Sequence, residues 1–251
     1  MLETYNIGAP TERPPVLIAH GLFGSARNWG VIAKRMSERG RVVTVDMRNH
    51  GHSFRGAPHD YPAMAGDLAE VIENLGAQVD VIGHSMGGKA VMVLALTRPD
   101  LVRRVVVGDI APVGYSHTQQ GMIDAMRALD LSRVETRGDA DRQLAEFVDD
   151  AGVRAFLLQS LDVKARAWRL NLDQLEADMA QVLGFPEISG TFEGPVLMLS
   201  GGASDYVLPE HRAAVKALFP AARFAKIPGA GHWLHAEKPR EFEAACAAFL
   251  G

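Results

Sequence analysis

The chain has 251 residues, 47% hydrophobic and 22% charged, with a formal net charge of −4. That is enough apolar side chain to bury a large core, and the balance excludes a disordered chain. Charges of both signs are scattered without a basic run, which disfavours nucleic acid as a partner.

The first segment, Met1-Leu2-Glu3-Thr4, lacks the basic start and apolar stretch of a signal peptide. No apolar run approaches the length of a membrane span. The single cysteine, Cys246, lies among alanines and reads as a buried, inert thiol. These features lead us to expect a cytoplasmic protein without a membrane span.

Val16–Ala19 reads as a short apolar strand after the turn-forming Pro14-Pro15. Trp29 to Glu38 reads as a helix with Val31, Ile32 and Met36 on one side. A strand over Val42–Val45 follows, then a helix from Tyr61 to Leu75, a strand over Val79–Ile82, a helix over Gly87–Thr97 and a strand over Val102–Val107. Later come a strand at Val196–Leu199, a helix at Glu210–Leu218, a strand at Phe224–Ile227 and a closing helix at Arg240–Leu250. Short, continuously apolar strands separated by helices indicate an α/β protein, its mostly parallel sheet flanked by helices on both faces. Ligands of such sheets sit at the carboxyl ends of the strands.

Between Pro112 and Gly194 no run resembles a buried parallel strand. Met122, Met126 and Leu129 share helical spacing, as do Leu144, Phe147 and Val148, and Leu175, Met179 and Val182. Trp168-Arg169-Leu170-Asn171 alternates and reads as extended. We expect residues 112–194 to form a helical cap inserted into a core made of 1–111 and 195–251. Its methionines either line an adaptable pocket or pack the cap onto the core.

The segment Gly83-His84-Ser85-Met86-Gly87 joins the Val79 strand to an apolar helix. This is the G-x-S-x-G arrangement that turns a chain sharply and pushes one serine outward. The close turn leaves no room for a Cβ at Gly83 or Gly87 and strains the serine backbone. A serine hydroxyl needs a base within hydrogen-bond reach, and that base needs an orienting acid. His232 follows the last strand across Pro228-Gly229-Ala230-Gly231 and is the base candidate. His50 and His52 lack acidic or cysteine ligands at metal-binding spacing. Two acids fit the order Ser…Asp…His: Asp109, which ends the Val102 strand, and Asp205, in Gly202-Ala203-Ser204-Asp205. Spacing does not choose between them. The backbone amides of Met86 and Leu22, the latter in His20-Gly21-Leu22-Phe23-Gly24, are the candidate oxyanion donors.

Together these motifs resemble the α/β-hydrolase superfamily, and within it the YbfF-type branch of small serine esterases. The resemblance rests on His20-Gly21-Leu22-Phe23-Gly24-Ser25, Asp46-Met47-Arg48-Asn49-His50-Gly51-His52-Ser53, Gly83 through Ala90, Asp109-Ile110-Ala111-Pro112-Val113, and Gly229-Ala230-Gly231-His232-Trp233 with His235-Ala236-Glu237-Lys238-Pro239. It implies ester or acyl-thioester hydrolysis through an acyl-enzyme, a helical cap and no cofactor. The branch carries its acid in the Asp-Ile-Ala-Pro-Val segment, which maps to Asp109. It often has a non-acidic residue where Asp205 stands, with a serine, here Ser204, able to join the histidine's network. Asp46 and Arg48 read as braces of their loop, Lys89 as solvated or ion-paired, and Glu237 and Pro239 as the start of the last helix. An acyltransferase or carbon–carbon bond hydrolase using the same triad, and a ligand-binding signalling protein, are the rival readings. The expected partner is a small-molecule substrate, with the chain a monomer or homodimer.

Overall fold

The computed structural model describes residues 1–116 and 118–251. Seven strands form one sheet: β1 (Glu3–Ile7), β2 (Val16–Ala19), β3 (Val42–Asp46), β4 (Val79–His84), β5 (Val102–Gly108), β8 (Val196–Gly201) and β9 (Ala222–Ile227). Their order is β1-β3-β2-β4-β5-β8-β9, with β1 antiparallel to β3 and every other pair parallel. Chain order reverses around β2, since β3 lies on one side of it and β4 on the other. A crevice therefore opens at their carboxyl ends.

Side chains alternate across this sheet. Leu17, Val81, Val105 and Val107 pack on one face with α2 (Tyr61–Leu75) and α3 (Met86–Thr97), and with Val215 of α9 (Arg212–Leu218). Ile18, Ile82 and Val106 pack on the other with α1 (Gly30–Met36) and α11 (Pro239–Leu250). Burial on both faces explains why these strands read as unbroken apolar runs. Asp60 caps α2 by accepting from Ala63 N, and Gly76 ends it in the left-handed region at φ 71°.

Between β5 and β8 lie α4 (Gln120–Ala128), α5 (Arg137–Leu144), α6 (Ala151–Leu157), α7 (Leu172–Ala177) and α8 (Met179–Leu183). A two-residue hairpin of β6 (Leu161–Asp162) and β7 (Ala167–Trp168) joins them. This segment has its own apolar cluster, with Ile123, Met126, Leu144, Leu157, Leu175 and Met179 buried together. Phe23 from the loop after β2 inserts into that cluster. Among the described residues, no helix is long and apolar enough to cross a membrane.

Several sequence expectations need correction. The edge strand β1 was not foreseen: its residues are mostly exposed and carry no apolar run. Val31 is 60% exposed, so only Ile32 and Met36 of the expected stripe face the core. Phe147 is likewise exposed. A short 3-10 turn at Pro209–His211 precedes α9, so the helix proper starts later than expected. Glu237 closes a separate turn, α10 (Leu234–Glu237), and its carboxylate accepts from Gly231 N at 2.7 Å; Pro239 alone begins α11.

Candidate active site

Ser85 stands at the carboxyl end of β4 as the residue before α3, with φ 52° and ψ −119°. Few residues tolerate this backbone, and the surroundings enforce it. A Cβ on Gly83 would strike the Gly87 carbonyl, and one on Gly87 would strike the carbonyls of Ala19 and His20. Ser85 N donates to Gly108 O at 3.0 Å, and Lys89 N to Ser85 O at 3.0 Å. Strand and helix thus hold the turn from both sides.

His232 reaches this turn from the loop after β9. Its Nε2 accepts from Ser85 Oγ at 3.1 Å, and its Nδ1 lies 2.8 Å from Asp109 Oδ2. The carboxylate side fixes the tautomer: Nδ1–H donates to Asp109 and leaves Nε2 as the acceptor. Asp109 is fully buried and has φ 51°, the second left-handed residue at a strand end here. Its Oδ1 accepts from Gly201 N at 2.9 Å, and its Oδ2 from Ser204 Oγ at 2.5 Å. Asp205 is exposed. Both ring nitrogens of His232 are committed, one to Asp109 and one to Ser85.

Two neighbours of His232 were not singled out from sequence. Tyr206 stacks on its ring, with centroids 3.7 Å apart and planes at 19°. His84 Nε2–H donates to the His232 carbonyl at 2.8 Å. Burial holds the His84 pKa well below its ordinary value, so the ring is neutral and serves as a fixed donor.

The loop after β2 lies against the serine. A Cβ on Gly21 would come within 3.2 Å of Ser85 Cβ. The loop is held by two buried histidines. His20 Nδ1–H donates to Gly21 O at 2.8 Å while its Nε2 accepts from Met47 N at 2.9 Å. His50 Nδ1–H donates to Arg48 O at 2.8 Å while its Nε2 accepts from Phe23 N at 3.1 Å. Ser160 Oγ, from the segment between β5 and β8, donates to Phe23 O at 2.7 Å. Phe23 has φ 64° and is bonded on both sides. Met86 N is the first amide of α3 and has no partner inside that helix.

Asp46 and Arg48 brace their loop as expected. Asp46 accepts from Ala26 N and His52 N at 2.8 and 2.9 Å. Arg48 pairs with Asp67 at 2.5 Å and donates to the carbonyls of Pro58 and Ala63. Lys89 corrects its expectation. It is 1% exposed, and its ammonium donates to the carbonyls of Leu183 and Gly184 at 2.9 and 2.5 Å. It is neither solvated nor, among the described residues, ion-paired, and the apolar run that follows it on α3 is what draws it inside.

A cavity of about 300 Å³ opens onto Ser85 and His232. Leu22 and Met86 line it on one side; Met122, Phe156, Leu183 and Trp233 line it on others. Met126 and Met179 pack inside the helical segment instead.

The sequence profile of the Alpha/beta hydrolase family matches residues 16–245. The chain is 44% identical over 248 residues to the mouse (Mus musculus) sn-1-specific diacylglycerol lipase ABHD11, covering 94% of this chain and 81% of that one. It is 40% identical over 229 residues to Esterase YbfF of Escherichia coli K12, covering 90% of this chain and 88% of that one. A solved structure described as a marine microorganism esterase superposes with a TM-score of 0.93 at 35% identity, covering 99% and 98% of the two chains. Sheet order, serine turn and these matches agree: the chain belongs to the alpha/beta hydrolase family.

Proposed function

We propose that this protein is a serine esterase that cleaves small carboxylic esters, and acyl thioesters by the same route. Its relatives' names support hydrolysis of an ester bond. Ser85 Oγ attacks the substrate carbonyl while His232 Nε2 takes the hydroxyl proton. Asp109 holds the ring in the required tautomer and stabilises the imidazolium. The amides of Leu22 and Met86 receive the negative oxygen, aided by the α3 dipole. His232 then protonates the leaving alcohol or thiol. Water attacks the acyl-enzyme with His232 again as base, which frees the acid and restores Ser85. Residues 112–194 act as a cap over a core of 1–111 and 195–251, closing the cavity above the serine.

The observation that carries this reading is the continuous line of hydrogen bonds from buried Asp109 through His232 to Ser85 at a cavity wall. The test is turnover of p-nitrophenyl acetate and butyrate, with fluorophosphonate labelling. Ser85→Ala should abolish both turnover and label. Unchanged turnover in that variant, or a label on another residue, would refute the assignment.

A further inference from the structure

The cavity beside Ser85 has an unusual charge content. Among the described residues, no aspartate or glutamate lines it, and Lys89 is its one lysine or arginine. Lys89 sits one turn along α3 from Ser85, four positions or about 6 Å of helix rise. The rings of Tyr61 and Tyr115 flank its ammonium at 5.6 and 4.8 Å. The Leu183 and Gly184 carbonyls and these two rings supply dipoles and π-faces, not a counter-charge. The buried imidazoles nearby cannot supply one in either protonation state, and burial, which holds His84 and His235 neutral, keeps them from adding a like charge. A buried ammonium with no anion is costly, and burial alone lowers the Lys89 pKa to about 7. Two carbonyls occupy two of its three N–H donors. The third is left for whatever fills the cavity.

We propose that Lys89 binds the far end of the acyl group, and that this end is a carboxylate. The substrate class is then the half-esters or half-thioesters of short dicarboxylic acids. The scissile carbonyl lies at Ser85, and a chain of a few methylenes carries the second carboxylate to Lys89. The apolar walls at Ile110, Val182 and Leu183 take the methylenes. Substrate binding supplies the missing anion, and a carboxylate beside the amine favours its charged form. A structural strut for residues 183 and 184 would need only the carbonyl contacts, and would be indifferent to the charge of the acyl tail.

This proposal rests on Ser85 being the nucleophile only for where the carbonyl sits, and its test has an arm that needs no turnover. Mono-p-nitrophenyl glutarate and p-nitrophenyl valerate differ only in the terminal carboxylate or methyl. After subtraction of spontaneous hydrolysis, wild-type kcat/KM should favour the glutarate by about tenfold or more. Lys89→Met should bring the ratio to about one or below. Equal or better use of the valerate by the wild type overturns the proposal, whether or not the variant folds. In the second arm, calorimetry on Ser85→Ala compares monomethyl glutarate with methyl valerate. Tighter binding of the glutarate supports the Lys89 site even if no ester is turned over, an outcome that would sink the triad alone. Valerate turnover with no glutarate preference in either arm sinks the Lys89 site and spares the triad.

Discussion

Two aspartates compete for one imidazole in this chain, and their surroundings separate them. Asp109 is fully buried, and its carboxylate accepts from Gly201 N, Ser204 Oγ and His232. Asp205 is exposed beside it. Asp109→Asn should therefore lower kcat by about 10⁴, because an amide favours the wrong ring tautomer. Asp205→Asn should leave kcat within about twofold, since surface changes away from such networks have little effect. Steady-state kinetics on the two variants checks this, and comparable losses in both would contradict it. Ser204→Ala removes one charge-assisted bond to Asp109 and should cost about tenfold in kcat with little change in KM. Ser85 and His232 were legible in sequence because steric demand and chain order mark them. Which carboxylate meets His232 was legible only through resemblance, since both candidates follow strand ends. Tyr206 left no trace, because ring stacking on His232 depends on how two loops meet and not on spacing.

At the scale of elements, the loop after β2 takes its shape from residues far along the chain. Phe23 takes a left-handed backbone and is tied by its N–H to His50 and by its carbonyl to Ser160. Ser160 belongs to the helical segment, 137 residues away. One hydroxyl therefore couples that segment to the amide expected to hold the oxyanion. Ser160→Ala should lower kcat by about tenfold while KM changes little, since a misplaced donor weakens transition-state binding most. A rise in KM with kcat intact would assign Ser160 to substrate binding instead. Gly87→Ala tests the other half of the site. The new Cβ meets the Ala19 and His20 carbonyls, which cannot yield as a side-chain tip could. We expect a loss of about 3 kcal/mol in urea unfolding, and a loss under about 0.5 kcal/mol would show the turn to be looser than described. The parallel strands were readable because both faces are buried. The edge strand β1 was not, since pairing with β3 on one side only demands no apolar run. The hairpin β6–β7 has two residues per strand, too few to carry a period.

Across the whole molecule, buried histidines set the response to acid. Burial is the largest cause of a lowered pKa at His20, His50, His59, His84 and His235, and the last four are shifted furthest. His59 falls to about 4, His235 to about 3, and His50 and His84 lie well below 6.5. An unfolded chain takes up a proton at each of them near pH 6.5, and the native state does not. The unfolded state thus binds more protons, so stability is full above about pH 6.5 and falls as pH drops toward about 4. The four most strongly shifted groups alone bring the slope near pH 5 to about 5 kcal/mol per pH unit. A domain stable by about 5–15 kcal/mol does not survive two or three such units. We therefore expect a steep fall in Tm between pH 6.5 and 4.5, with near-UV dichroism and activity lost together. His59→Gln, which removes one of the four, should flatten the slope by about one quarter. The His59 Nε2 and His235 Nδ1 atoms have no hydrogen-bond partner among the described residues, so neither ring has an acceptor ready for a second proton at that atom. A slope of one proton or less would mean that the native state takes up these protons without unfolding. Acid inactivation would then reverse on neutralisation with the fold intact throughout.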